Sequence, residues 1–360
     1  MKKINLLTAL SAALLLFGCK DDKGPKVPLP HEPTETIGYY VLNEGTQSGG
    51  NATLGYYDIA TKHFTPDYFG MQNPGDELGD LPNDMTIYGT MAYVTLNGSG
   101  EVVVLGAADG KVRKRLAVEG ARSLAAHDGK VYVSSYKGEV VRIDTLSLTV
   151  TGTAAVNGKY CEGIAVWNDK IYVANNATPT GLQSKGNTVS VIDIPTFTEE
   201  AQITTPTNPV GLTVGAGRLY LTTSAVYDDS WTTMLEDARL HRIDPKQNRV
   251  DYTFPDVTVS SMAVLGDYLY TVHFSWETYT GSSRKINLAT DAVADFLAEA
   301  PGNSVYGISA NPLTEELFVI NSGYTGPGTV DCYNADGTFQ YQMTDRAQGP
   351  YVSKVVPVNK

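Results

Sequence analysis

The chain has 360 residues, a formal net charge of -12, 42% hydrophobic residues, 35 Gly, 22 Tyr and three Cys. That acidic balance argues against nucleic acid or an anionic surface as a partner, because either would be repelled at long range. The apolar fraction fits a folded domain, and the paucity of cysteine leaves no disulfide framework to build one.

At the N-terminus, Lys2 and Lys3 precede an apolar run from Ile4 to Phe17, short for a membrane span and suited to a signal peptide over residues 1–18. The run ends in Leu16-Phe17-Gly18-Cys19, which looks like a bacterial lipobox and implies cleavage before Cys19 and lipidation of its thiol and new amino group. A free structural cysteine is the alternative. Acyl chains contribute about 0.8 kcal/mol per buried methylene, so several would anchor the protein to the outer membrane without a transmembrane helix. Residues 19–36 then read as the lipidated cysteine and a stiff polar tether, with Pro25, Pro28, Pro30 and Pro33. Lys20-Asp21-Asp22 resembles the acidic export signal of surface-exposed Bacteroidetes lipoproteins; a solvated charge cluster is the other reading.

From residue 37 to 360 the chain repeats. A short strand built around an aromatic recurs seven times, at Tyr40, Tyr93, Tyr132, Tyr172, Tyr220, Tyr270 and Phe318, in steps of 39 to 53 residues. One four-stranded propeller blade fits such a step, so the predicted fold is all-β, a seven-bladed β-propeller. A second β-rich run follows most of these strands and ends in Asp58, Asp144, Asp193, Asp244 or Asn287. Asp and Asn at strand ends bond back to the backbone, so these are expected to be turn residues without a catalytic part. Apolar runs before the aromatic strands, such as Ala121–Ala125, Gly163–Val166, Gly211–Val214 and Gly307–Ser309, are the candidate inner strands. The first unit lacks one, while Gly349–Val356 is left over at the end. The C-terminus is therefore expected to close the first blade, hiding an edge that would otherwise invite pairing.

Cys161 and Cys332 fall in the fourth and seventh units, too far apart in a propeller to be bridged, and are expected to be free. The five histidines lie in separate units without metal-ligand spacing, and neither a nucleophile elbow nor a phosphate-cradling glycine loop is present. The positions three after each aromatic read Asn43, Leu96, Ser135, Asn175, Thr223, His273 and Asn321. With Glu44 beside Asn43, a calcium-dependent lactonase-like cluster is conceivable, although a matching Asp is not evident.

Loops after the aromatic strands and loops entering the inner strands belong to one face. They supply the candidate ligand-binding residues Asn43, Asp80, Arg122, Tyr136, Tyr160, Asn175, Asn208, Tyr227, Trp231, Phe274, Trp276, Tyr306, Asn321, Tyr324 and Tyr351. Together these predict a wide funnel of mostly uncharged donors and acceptors interleaved with aromatic rings, suited to a large, flat, neutral ligand carrying many amides. No catalytic residue and no metal ligand is assigned.

With the lipobox, Lys20-Asp21-Asp22 and seven YncE-like units, the chain resembles the BtuG family of Bacteroides surface lipoproteins. The resemblance implies a propeller that captures cobalamin (vitamin B12) or a related corrinoid and passes it to a TonB-dependent outer-membrane transporter of the BtuB type. It implies no intrinsic cofactor, and no individual binding residue is carried over. A surface binder of another ligand, such as a glycan or haem, and a metal-dependent hydrolase stand as alternatives.

Overall fold

The repeated aromatic is a large apolar side chain placed mid-strand, where a pleated surface presents it to whatever lies on that side of the sheet. The computed structural model describes residues 33–299, 301, 304–322, 328–343 and 351–360; the expected signal peptide, Cys19 and most of the expected tether lie outside them, as does Tyr324. All seven repeated aromatics sit in second strands and are at most 1% exposed.

The described residues form seven four-stranded antiparallel sheets and one two-stranded hairpin. Blades 2, 3, 4, 6 and 7 run in plain chain order from the inner strand outward, with inner strands Pro82–Tyr88, Ala121–His127, Lys159–Trp167, Ser261–Leu265 and Val305–Asn311. Blade 5 starts at Pro209–Gly215 and carries the extra hairpin, Val226–Tyr227 with Met234–Glu236, between its second and third strands. Blade 1 is completed from both ends of the chain: Val352–Asn359 is its inner strand, paired antiparallel with Thr36–Asn43. Closure by the C-terminal strand is thus as expected from sequence. The first strand begins at Thr36, one residue before the expected boundary.

Each repeated aromatic plugs a junction between neighbouring blades. Tyr40 packs with Met85 and Val94 of blade 2, Tyr132 with Ile164 and Val173 of blade 4, and Tyr172 with Leu219 and Leu221 of blade 5. The last junction holds Phe318 of blade 7 against Tyr39 and Val41 of blade 1, so the ring closes with a core of the same kind as the others. Successive inner strands are neighbours all the way round, including the blade 1 strand between those of blades 7 and 2. The turn residues behave as predicted: Asp58, Asp144, Asp193 and Asn287 accept the backbone N–H three residues on, and Asp244 that of Lys246. Cys161 and Cys332 are buried and free.

The repeated tyrosines differ at their tips. The Tyr40 hydroxyl donates to the Ala107 carbonyl at 3.0 Å and that of Tyr270 to the Ala335 carbonyl at 3.0 Å, whereas those of Tyr93, Tyr172 and Tyr220 are buried without a protein partner. Removing a made hydrogen bond costs about 1 kcal/mol, while removing an unsatisfied buried hydroxyl costs little or stabilises. Tyr40→Phe is therefore expected to lower unfolding stability by about 1 kcal/mol and Tyr172→Phe to change it by less than about 0.5 kcal/mol. Urea denaturation checks this, and equal losses would mean that ring packing alone sets both.

Candidate functional site

The ends of the second strands meet the starts of the inner strands at one face, as Asn43 opposite Val352, Leu96 opposite Pro82, Ser135 opposite Ala121, Thr223 opposite Pro209 and Asn321 opposite Val305. The two loop sets named from sequence therefore share that face. In six blades the pairing slips there, and the residues squeezed out of register include Ser353, Asn83, Arg122, Glu162, Val210 and Tyr306. All six line the axial mouth. A β-bulge bends the strand and re-aims a side chain. Repeated around the ring, it turns one residue per blade toward a common axis.

The mouth is a cavity of about 520 Å³, continuous with an axial channel of about 340 Å³ to which the inner strands of all seven blades contribute. The expectation of a mostly uncharged funnel needs correction here, because the floor carries Glu44, Asp84, Arg122, Glu162 and Lys354. Four of these are paired. Arg122 Nε donates to Glu162 Oε2 at 2.6 Å, the Tyr136 hydroxyl donates to Glu162 Oε1 at 2.8 Å, and the guanidinium lies 5.3 Å from the centre of the Tyr136 ring. Lys354 pairs with Asp84, which also accepts the Leu124 N–H at 2.8 Å and so ties blade 2 to blade 3. Burying a charge demands such a partner.

Glu44 is the exception. It faces the Tyr306 hydroxyl, 3.3 Å from each carboxylate oxygen, with its backbone N–H given to the Tyr351 carbonyl at 3.0 Å. Burial pushes its carboxyl up to about 7, against the opposing pull of Arg122, the Tyr306 hydroxyl and Ser353. A carboxyl whose folded pKa exceeds its unfolded one keeps its proton only in the folded state between the two values, so stability falls as pH rises from about 4.5 to about 7. Glu44→Gln is expected to remove that fall, raising stability at pH 8 relative to wild type by on the order of 3 kcal/mol, with the difference shrinking below pH 5. Parallel denaturation curves at several pH values measure it, and a pH-independent difference would contradict it.

Of the other candidates, Tyr160 stands against Tyr136 with ring centres 4.9 Å apart, and adopts φ 48°. Tyr351 also sits in the left-handed region, at φ 69°, where it positions Glu44. Tyr227, Phe274 and Trp276 line a cavity between blades 5 and 6, and Phe274 and Trp276 also border the axial mouth; Trp231 is stacked on Tyr227 but 72% exposed. Asp80 belongs to neither group: it accepts the Ser48 N–H beside a cavity between blades 1 and 2.

Asn43, Asn175 and Asn208 lie within the propeller wall. Asn43 and Asn175 are at most 1% exposed and bond across their own blades to Thr53 and to Thr188 and Ser190; Asn208, 4% exposed, holds the Ser224 and Ala225 carbonyls. Asn321 likewise bonds inward to Thr329 and Asp331. At Asn43, Asn175, Thr223 and Asn321 the residue three after the aromatic bonds to the third strand of its own blade, whereas His273 faces Ser260. An Asn and Glu metal cluster is not assembled from these positions, and no group of three His, Cys, Asp or Glu is placed to hold an ion among the described residues.

Sequence reasoning overlooked Asn83, Asp84, Glu162, Ser353 and Lys354. The available signal was their alignment: each stands at the same offset as Arg122 or one beyond it, just ahead of the apolar part of its inner strand.

No family model matches the sequence, and no curated protein is similar to it. Among solved structures, the chain is similar to a quinoprotein alcohol dehydrogenase-like protein from Bacteroides thetaiotaomicron, with 14% identity, a TM-score of 0.64, and 90% of this chain and 79% of that one covered. Hydrazine synthase from Kuenenia stuttgartiensis is similar at 18% identity and a TM-score of 0.59, over 73% of this chain and 80% of that one. At such identities the likeness is one of fold: this chain is a seven-bladed β-propeller with a Bacteroides propeller among its structural neighbours.

Proposed function

We propose that the protein is a non-enzymatic binding protein that seats a corrinoid, cobalamin in particular, over the axial mouth. We further propose that it acts as a lipid-anchored outer-membrane surface protein supplying a TonB-dependent transporter of the BtuB type. A corrinoid is a broad disc fringed with amides, and it calls for many hydrogen bonds without a net charge opposite it. The observation that carries the reading is the composition of the mouth: its charges are matched as Arg122 with Glu162 and Lys354 with Asp84, burial pushes the Glu44 carboxyl up to about 7, which reduces its charge, and phenols surround them. Such a floor offers donors and acceptors to amides while presenting little net field. The bulged strands fix these groups on a closed ring, so little ordering accompanies binding. The placement at the membrane and the transporter rest on the lipobox and the family resemblance alone.

Calorimetric titration with cyanocobalamin is the test. A one-to-one isotherm with Kd below about 1 μM, more than about 8 kcal/mol, is expected. Absence of heat together with unchanged ligand absorbance in equilibrium dialysis would end this reading.

A further inference from the structure

Two spaces meet at the centre of the ring, the mouth of about 520 Å³ and the axial channel of about 340 Å³ that continues from it, and Glu44 lines both. It follows the last residue of strand Thr36–Asn43, and its N–H bond to the Tyr351 carbonyl fixes its backbone at that neck. The other charged side chains around the two spaces come from four inner strands: Lys354 from blade 1, Asp84 from blade 2, Arg122 from blade 3 and Glu162 from blade 4. Blades 5 and 6 add no charge to either lining, and blade 7 adds the Tyr306 hydroxyl. His273 reaches the lining only through Ser260, and burial favours its neutral form.

Both cations are already engaged, Arg122 with Glu162 at 2.6 Å and Lys354 with Asp84, so Glu44 feels Arg122 only through space. What Glu44 touches is the Tyr306 hydroxyl, 3.3 Å from each carboxylate oxygen, with Ser353 beside it. A hydroxyl supplies one proton and no countercharge, whereas an ionised carboxylate has about four acceptor sites to fill. As an anion, Glu44 therefore depends on water in the mouth. A disc seated over the mouth displaces that water, and a neutral, amide-fringed one brings no cation in exchange. A carboxylate shut beneath it takes a proton, because burial disfavours the charged form. Burial by the protein alone already pushes this carboxyl up to about 7. Once protonated, it has one O–H to give, and an amide carbonyl accepts it.

We infer that Glu44 selects the ligand of the axial mouth as a neutral acid, donating its proton to a ligand carbonyl, so that binding takes up a proton from solvent; this role rests on the corrinoid reading of the mouth. A ligand placing an N–H donor at Glu44 would call for the carboxylate instead, and its binding would strengthen as pH rises. With a carbonyl there the sign is opposite. Below the pKa of the free protein the carboxyl is already protonated and affinity is flat; above it, each pH unit weakens binding by up to tenfold.

Calorimetry of the full chain with cyanocobalamin from about pH 6 to about pH 8.5 tests this, since the amides and phosphodiester of that probe do not titrate there. Kd is expected to be at least about tenfold weaker at the upper end. At about pH 7.5, heats in two buffers of different ionisation enthalpy should differ by the uptake of roughly 0.5–1 proton per ligand. Glu44→Gln keeps the shape and cannot titrate, so its Kd should vary by less than about twofold over the same range and its buffer-dependent heat should vanish. A melting curve at each pH reports its folding, and the wild-type proton count stands alone if the variant does not fold. Binding that is independent of pH or tightens as pH rises, or a pH dependence that Glu44→Gln retains, overturns the role of Glu44 and leaves the corrinoid reading intact. Absence of binding at every pH overturns both.

Discussion

A chain ending at Tyr351 is expected not to fold cooperatively. The nine residues removed, Val352–Lys360, include the inner strand of blade 1, Val352–Asn359, whose valines serve two junctions at once. Val356 and Val358 pack into the core between blades 1 and 2, while Val352 and Val355 pack into that between blades 7 and 1. All four are at most 7% exposed. Full burial of a valine-sized side chain contributes about 1.5–3 kcal/mol, so roughly 6–12 kcal/mol of apolar burial would be lost. Total stability of a domain is about 5–15 kcal/mol, so the loss is comparable to all of it. The deletion would also expose the hydrogen-bonding edge of Thr36–Asn43, which invites association. The full-length variant Val355→Asp disrupts one of these junctions, that between blades 7 and 1, without shortening the chain, and should lower the melting temperature strongly. Near-ultraviolet circular dichroism and size exclusion would read both. A truncated chain that stays monomeric and melts within a few degrees of wild type would show that the ring does not depend on this strand.

The closure was legible because a missing inner strand at one end and a surplus one at the other leave only one way to complete seven equal blades. The spacing of Tyr40, Tyr93, Tyr132 and their successors carried the rest of the fold, since a buried aromatic at a fixed place in each unit is a packing demand that sequence records directly. The site was less legible, for a local reason. Counting three residues beyond each aromatic gave Asn43, Asn175 and Asn321, which share a strand position but point into their own blades. The axis is lined instead by residues displaced by bulges, and a bulge changes which face a residue occupies without altering composition or hydrophobic pattern. Arg122 and Tyr306 were found because they were unusual residues in loops entering inner strands. Glu162 and Ser353 were missed because only their offset within the repeat marks them, and that offset acquires its meaning from the bulged register.

Charge in the floor shows a second limit. Sequence alone could count Glu44, Asp84, Arg122, Glu162 and Lys354 but not pair them, because the partners lie 40 and 270 residues apart. Pairing converts what would have been a strongly charged pocket into one with little net field, and it does so through contacts between blades. The same contacts bind neighbouring blades to each other. Function and ring integrity therefore share residues here, and substitutions in the floor must be chosen to separate them.

The three tyrosines Tyr160, Tyr306 and Tyr351 allow that separation. None of them belongs to the seven junction cores. Tyr306 reaches Glu44, Tyr160 backs the Tyr136 ring, and the Tyr351 backbone holds the Glu44 amide, a bond that an alanine at the same position can still make. Their combined replacement by Ala is expected to leave the Arg122–Glu162 and Lys354–Asp84 pairs in place and to lower the melting temperature by only a few degrees. Affinity for cyanocobalamin should fall much further. Buried or half-buried tyrosines at the centre of a binding surface commonly account for 1–2 kcal/mol or more each on truncation. A loss of at least about 100-fold, about 2.7 kcal/mol, is therefore expected in calorimetry. Should the triple variant retain wild-type affinity with an unchanged melting curve, the corrinoid sits elsewhere on the propeller. Should it lose affinity and its cooperative transition together, the comparison must be repeated with Tyr306→Phe. That change removes only the hydroxyl facing Glu44, and if the ligand uses this pair it should still weaken binding several-fold.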